Sequence, residues 1–485
     1  MRLIANIELD GLQDAAGLAP EDRDEVERLV KSLRDHDIHN NVVESYYDGT
    51  FHVQDHGIEV DPKLLQNRQV CHWPEKAVDA LADRVRFDGV VAPDDITALV
   101  ADVGLVNAYS AHLVDKYVNG CMFCVVGMSR STGKPFVRFH SARTATAMPS
   151  HDYDHSEVAS GLAIGRMEPT AWSPTNPVAT VVNVFLPNKV IVLRQPAPAR
   201  WTAETMPVPE RSPMIVAFAH RPRGRQPFGK TRISSAVRGI SDEMVRTMFR
   251  MEVLSAYYTM PQRYALGLTK KQYDTLVNTK AMRYADSMFL ATRDADGNVP
   301  TYGQLPANSP EPFIAQARFL AGQFSGATGV PLNSLGIVQD NPSSAEAISA
   351  SREDICLIAQ RDIESDRRSI VRVVRLLAAL NENVAVDELT DEQRNVEASF
   401  AEPMLTSLPG RVDAVTKLSA VIEGFGSTTV GMKMAGMDDA DISSVRAETQ
   451  QAQAMQAAQA MFSSMPREVT QPSTAQSDEG EPDEG

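Results

Sequence analysis

Apolar residues recur every three or four positions over several long stretches of this chain, and between them lies one block of short continuous apolar runs. The three-to-four spacing predicts amphipathic helices, and the short runs predict strands. Residues 21–35 read as a helix with an acidic first turn after Pro20, followed by a turn cue at Tyr46, Tyr47, Asp48 and Gly49. Residues 73–87 carry Ala77, Val78, Leu81, Ala82 and Val85 at helical spacing, and 94–119 reads as a further helix ending before Gly120. From 121 to about 220 the runs CMFCVVGM, PFVRFH, ATVVNVF, KVIVLR and MIVAFAH sit between Gly, Pro, Asn and Ser clusters, a β-rich section.

The helical period returns at 231. Ile233, Val237, Ile240, Met244, Met248, Met251 and Leu254 form one apolar stripe on a helix of about 27 residues, with Arg232, Arg238, Arg246 and Arg250 on the other faces. A small α/β insert follows Met260-Pro261, with a helix expected around 269–283, a strand at 287–292 and a turn at Asp296-Gly297. Ser309-Pro310-Glu311 opens the next helix. A Pro/Gly/Asn-rich loop runs from Pro331 to Pro342. The capping box Ser343-Ser344-Ala345-Glu346 then starts a helix of about 37 residues whose stripe includes Ile355, Ile358, Ile370, Val374, Leu377 and Leu380. The polar interval Glu364 to Ser369 reads as exposed on all sides, or as a bend. After 381 the chain is acidic and helical, and SDEGEPDEG reads as a disordered end.

Composition narrows the class. With 485 residues, 43% of them hydrophobic, the chain has room for two to four domains and a real core. Four cysteines exclude a disulfide scaffold and suggest a reducing compartment. No apolar run approaches the ~18 residues of a membrane span, and the acidic N-terminus lacks a signal peptide's apolar stretch. The net charge of −16 disfavours a generic polyanion binder. Residues 221–270 depart from that balance, with ten Lys+Arg against three Asp+Glu. They form either a helix with solvated arginines or a surface facing an acidic partner, protein or nucleic acid.

Three candidate chemistries arise. Gly224-Arg-Gln-Pro-Phe-Gly229-Lys230-Thr231 fits the phosphate-binding G-x-x-x-x-G-K-[ST] pattern. Pro227 inside it has no N–H to donate, the apolar run ends at Ala219, and no apolar run ending in Asp follows to hold magnesium-bound water. The competing reading is a turn into the long helix, with Lys230 and Arg232 at its solvated start. Cys121-x-x-Cys124 lies in a buried strand without a second pair, so core cysteines are expected. His151, Asp152, Asp154 and His155 sit in a polar loop without metal-site spacing, which points to a solvated turn.

The order of parts and a set of local matches resemble the portal proteins of tailed bacteriophages, the head-to-tail connectors, in particular the long-tailed-phage group. Tyr46-Tyr47-Asp48-Gly49 is similar to that family's YY-x-G element, and Trp73 to Arg84 to its W-x-x-x-x-V-D-x-x-A-x-R helix. Phe228-Gly229-Lys230-Thr231-Arg232-Ile233 resembles its F-G-x-S-R-I turn, with Thr231 in place of Ser, and Met260-Pro261-Gln262-Arg263 its P-Q-R exit. Thr328 to Leu335-Gly336, then Asn341 to Ala347, resembles its tunnel loop and the following helix. The similarity covers roughly 40 to 440, and its specificity rests on the order of the pieces.

The resemblance implies an α+β portal fold with a wing at 1–230 (mixed α/β), stem helix 1 at 231–258, an α/β clip at 259–309, stem helix 2 at 310–330, a tunnel loop at 331–342, a long wing helix at 343–380, a helical crown at 381–465 and a disordered acidic tail at 466–485. It implies no catalysis and no cofactor, metal or membrane. The expected assembly is a homo-oligomeric ring, usually of twelve, at the capsid portal vertex of the virion, assembled in the host cytoplasm. Expected partners are the terminase large subunit, the head–tail adaptor, major capsid and scaffolding proteins, and double-stranded DNA without sequence specificity. Asn333, Ser334, Gln339, Asp340 and Asn341 are the expected tunnel-loop contacts. Arg263, Lys270, Lys271 and Tyr273 are the expected clip contacts, on charge and exposure. Ile233, Val237, Ile240, Met244, Met248 and Met251 are the expected stem packing. Twelve copies would carry about −190, a charge that repels a moving duplex where acids line the channel. The alternative is a P-loop ATPase such as a packaging motor subunit, and a third reading is a non-viral scaffold with a basic docking helix.

Overall fold

The computed structural model describes residues 9–53, 69–150, 157–170, 173–198, 200–259, 263–266, 270–271, 274, 301–304, 309–337, 352–404, 408–437 and 439–464. They form two compact units, Met1–Met404 and Leu405–Gly485. The architecture is mixed helix and antiparallel sheet.

The first helix, α1 (Arg23–Tyr47), runs twelve residues past the 35 expected from its apolar spacing. Its second half is held by polar contacts that a hydrophobic pattern does not register. Arg143 donates to Glu44 at 2.7 Å, Asn119 to Glu44 at 3.3 Å, and Asn40 to the Ala142 carbonyl at 3.2 Å. Helix α2 (Trp73–Ala82) stops short of 87, because Phe87–Val91 is strand β1, paired with the strand Glu397–Phe400 from more than 300 residues away. The single helix expected at 94–119 is two, α3 (Asp94–Asp102) and α4 (Leu105–Asn119), broken where Gly104 takes φ 64°.

Strands fill 121–219 as expected. They are β2 (Cys121–Met128), β3 (Pro135–Ser141), β4 (Ala145–Pro149), β5 (Val158–Thr170), β6 (Ser173–Leu186), β7 (Lys189–Ala197), β8 (Arg200–Pro207) and β9 (Ile215–Ala219). Strands β4 to β8 make a five-stranded antiparallel meander. Alternate residues Leu162 and Ile164, Val182 and Val184, and Ile191 and Leu193 face one side, where Val26, Leu29, Val30 and Leu33 of α1 cover them. The second sheet, β3-β2-β9, is buried more deeply, and all of β9 and most of β2 are inaccessible. Cys121 and Cys124 lie in this core, their thiols pushed up by burial, that of Cys121 to about 12.

Two antiparallel helices follow, α5 (Ser235–Thr259) and α6 (Glu311–Thr328), with strands β10 (Arg263–Leu266) and β11 (Thr301–Gln304) paired between them. Helix α7 (Glu353–Glu382) crosses the deep core, and a short helix α8 (Asp391–Arg394) leads into β12 (Glu397–Phe400). The capping box at 343–346 and the internal elements expected at 287–297 lie outside the described residues. Because β12 pairs with β1, residues 381–404 belong to the first unit, and the break expected at 381 falls after Met404. The second unit contains α9 (Leu408–Val421), α10 (Thr429–Ala435) and α11 (Asp439–Ser464). Among the described residues no single helix is long and apolar enough to cross a membrane.

Candidate functional site: the root of the helix pair

Four of the local matches singled out in the sequence, at 46–49, 73–84, 228–233 and 328–336, meet at the base of α5 and α6, whereas Arg263 follows the far end of α5 and 341–347 lies outside the described residues. The Tyr46 hydroxyl donates to both carboxylate oxygens of Asp242 on α5, at 2.8 and 3.0 Å. The Tyr47 hydroxyl donates to Asp79 on α2 at 3.0 Å. Trp73, at the start of α2, packs its ring 5.2 Å from Phe324 of α6. Arg232 ties these parts together. Its Nε donates to the Ala77 carbonyl at 3.0 Å, a guanidinium N–H reaches the Thr328 carbonyl, and its backbone N–H donates to Tyr117 at 2.8 Å. The solvated Arg232 expected from the sequence is therefore corrected, because it is 6% exposed. Three helix carbonyls replace the water it gives up.

The segment before Arg232 is a hairpin, and its geometry does not suit a phosphate. In a P-loop, free backbone N–H groups surround the anion. Here Gln226 donates to Arg223, Gly229 to Gln226, and Lys230 to His220, at 2.7, 3.0 and 3.0 Å. Those donors are already engaged, and α5 begins only at Ser235. Phe228 anchors the hairpin against Phe123, with ring centroids 5.6 Å apart.

Antiparallel pairing of α5 and α6 follows from two contacts, Arg232 with Thr328 near the root and Gln316 with Glu243 farther along, the latter at 3.1 Å. Glu243 also accepts from Arg246 and Arg250, at 3.3 and 3.2 Å. Of the expected stem stripe, Ile233 and Val237 are buried, while Ile240, Met244, Met248 and Met251 are only half-buried. The buried line runs instead through Val237, Ser241, Val245, Phe249 and Val253, at a strict four-residue spacing. The methionine face is rotated away from it. Met244 and Met248 line a cleft of about 530 Å³ with Trp73, Glu75, Ser334 and Leu335.

After α6, Gly329 at φ 73° turns the chain into a 3-10 turn, Leu332–Leu335. Val330 and Pro331 are buried, so the turn is pinned at its start. Asn333 and Ser334 stand exposed on it, whereas Gln339, Asp340 and Asn341 lie outside the described residues. Lys270 and Lys271 are exposed on a helical segment. Arg263 lies on β10, its side chain outside the described set, and Tyr273 lies outside it altogether, as do His151, Asp152, Asp154 and His155.

One cluster was not foreseen. The polar interval of α7, expected to be exposed or bent, is neither. Asp366 and Ser369 are buried, as is Asp362 just before them, at positions that continue the helix's core stripe. Lys116 of α4 reaches both oxygens of Asp366 at 2.8 and 2.7 Å, and the Tyr109 hydroxyl donates to Asp366 at 2.5 Å. His220 Nδ1 lies 2.7 Å from Asp362, and Ser369 donates to the Ala217 carbonyl at 3.0 Å. Burial pushes the Asp366 carboxyl up, against the pull of Lys116. Burial acts the same way on Asp362, but there the Lys116 charge and the His220 hydrogen bond prevail and hold it low. The available signal was phase: Lys116 on α4 and Asp366 on α7, of opposite charge, both fall at core positions. Among the described residues no group of three His, Cys, Asp or Glu side chains is placed to hold a metal ion.

Two buried histidines give the fold a pH dependence. Burial, with Arg138 and His112 adding to it, lowers the His140 pKa to about 4. Burial also lowers that of His220. Below pH ~6.5 the unfolded chain takes up protons that the native chain refuses, so stability falls as pH drops from ~6.5 towards 4. The His140 contribution is on the order of 3 kcal/mol. Urea unfolding at a series of pH values should show this slope, and His140→Gln should flatten it.

No protein-family model matches the chain. The portal protein of Mycobacterium phage L5 is 21% identical over 415 residues, which cover 81% of this chain and 81% of that protein. The portal protein of Mycobacterium phage D29 is 23% identical over 206 residues, 42% of this chain and 41% of that one. Among solved structures, a chain from the virion of a native gene transfer agent particle aligns at 12% identity and TM-score 0.41, covering 82% of this chain and 99% of that one. Another, from the neck of that particle computed with C12 symmetry, aligns at 12% identity and TM-score 0.38, covering 76% and 90%. The chain thus resembles phage portal proteins in sequence.

Proposed function

We propose that this protein is a portal subunit, a wall segment of a ring through which double-stranded DNA enters and leaves a phage head. The likeness to a curated portal protein over four-fifths of both chains carries this reading. The root described above supports it, because four of the matched sequence pieces build one joint that fixes a helix pair and the turn after it. In this reading α5 and α6 are the stem, residues 259–309 are the clip that meets the terminase large subunit and then the head–tail adaptor, and the 331–342 loop faces the channel. Residues 1–230 and 343–380 build the wing beside the capsid and scaffolding proteins, and a helical crown follows. The half-buried methionine face of α5 packs against the next subunit of a ring of twelve, placed at the virion's portal vertex and assembled in the host cytoplasm. Polar, nearly uncharged loop residues touch the duplex without gripping it, since each neutralised phosphate would release counterions and tighten binding. The subunit itself catalyses nothing.

Negative-stain microscopy of the purified chain tests the proposal, with a ring of about twelve lobes around a central hole as the expected result. A stable monomer under all conditions, or ATP hydrolysis lost in Lys230→Ala, would sink it and favour the ATPase alternative.

A further inference from the structure

The hairpin that mimics a P-loop carries a charge the ring reading does not use. Between Arg221 and Lys230 there are four cations, Arg221, Arg223, Arg225 and Lys230, and no acid, in a chain whose net charge is −16. All four are exposed. Among the described residues the side chains of Arg221, Arg225 and Lys230 make no hydrogen bond or ion pair, and Arg223 has only Gln226 of its own turn, at 2.5 Å.

The hairpin is also rigid. Arg223 and Gln226 exchange both backbone hydrogen bonds, at 3.0 and 2.7 Å, and the two ends are closed by Lys230 on His220 and His220 on Gly120. Arg221 is held at φ 52°, a left-handed backbone that an arginine adopts only under constraint. Its guanidinium adds to burial in lowering the Arg232 pKa to about 10, so positive charge is crowded at the hairpin's base. At the tip, a Cβ on Gly224 would meet nothing within 4 Å, which leaves room for close approach.

We infer that this hairpin is a fixed contact for the phosphate backbone of nucleic acid, read by charge and not by sequence. An acidic protein is the poorer fit. Protein interfaces centre on an exposed apolar or aromatic anchor, and here Pro227 and Phe228 are half-buried, Phe228 being turned inward onto Phe123. Arginines and a lysine on a stiff turn match phosphates, which position without specifying. Because four such contacts would brake a moving duplex, the hairpin suits nucleic acid that stays in place. The assignment does not rest on the ring, since the contact belongs to a single chain.

The test is anisotropy of a labelled duplex of about 30 base pairs with the full-length protein between about 50 and 200 mM salt. Four phosphate contacts give a slope of log affinity against log salt near −3.6, or about a 100-fold loss across that range. Replacing Arg221, Arg223, Arg225 and Lys230 by Gln should remove that slope, Arg225→Gln alone should lower it by about 0.9, and lysine at the three arginine positions should keep it. Circular dichroism checks that each variant is folded. A slope unchanged in the glutamine variants, no binding at all, or tighter binding of labelled poly-glutamate than of the duplex overturns the inference.

Discussion

Replacing Asp366 by alanine is expected to cost about 3–5 kcal/mol of unfolding free energy. Lys116 and Asp366 are both inaccessible, and the lysine's bonds at 2.8 and 2.7 Å are to that one carboxylate. Without it an ammonium stays in a core of Tyr109, Tyr117 and Phe218, and the Tyr109 hydroxyl loses its acceptor. The penalty is that of a stranded charge, not of a lost attraction, so removing the whole group should cost much less. The combined change Lys116→Met, Asp366→Leu and Tyr109→Phe keeps the branching of each side chain, and Asp362, which loses the Lys116 charge, keeps His220 at 2.7 Å. Guanidinium unfolding at one protein concentration distinguishes the two cases. A single variant as stable as the triple would show that water or rearrangement rescues the lysine.

Gly229→Ala is expected to cost about 3 kcal/mol or more. Gly229 sits at φ 74°, and a Cβ there would lie 2.2 Å from the His220 carbonyl oxygen and 2.9 Å from that of Gly120. Both are main-chain atoms that accept hydrogen bonds, from Lys230 and His220 respectively, so neither moves without breaking the closure of the hairpin. Gly239 on α5 is the control, with an ordinary φ and nothing within 4 Å of a Cβ. Alanine there should stabilise the helix by about 0.5–1 kcal/mol. Thermal melts of the two variants should shift in opposite directions.

Much of the architecture was legible because it is written locally. The β-rich block, the helix pair, the Pro331 turn and the core cysteines follow from spacing and punctuation. What escaped was made by distant partners. β1 is a strand because β12 completes it, the end of α1 is helical because Arg143 and Asn119 hold Glu44, and Arg232 is dry because carbonyls on α2, α4 and α6 converge on it. Asp366 of α7 was misread for the same reason: a polar residue in a helix looks solvated until the lysine that faces it is placed. The root itself was half legible, since its pieces were recognised one by one while their meeting point was not.

The bonds of Arg232 end on main-chain carbonyls, in α2, at the last turn of α6 and, through its own backbone, in α4. A carbonyl inside a helix has no rotamer to swing into, so the acceptor side of this joint has no soft element. A push along α5 and α6 is handed to the body as a whole, and the pair behaves as a lever clamped at one end. Displacement along it then comes from bending of the two helices, with no pivot at their base.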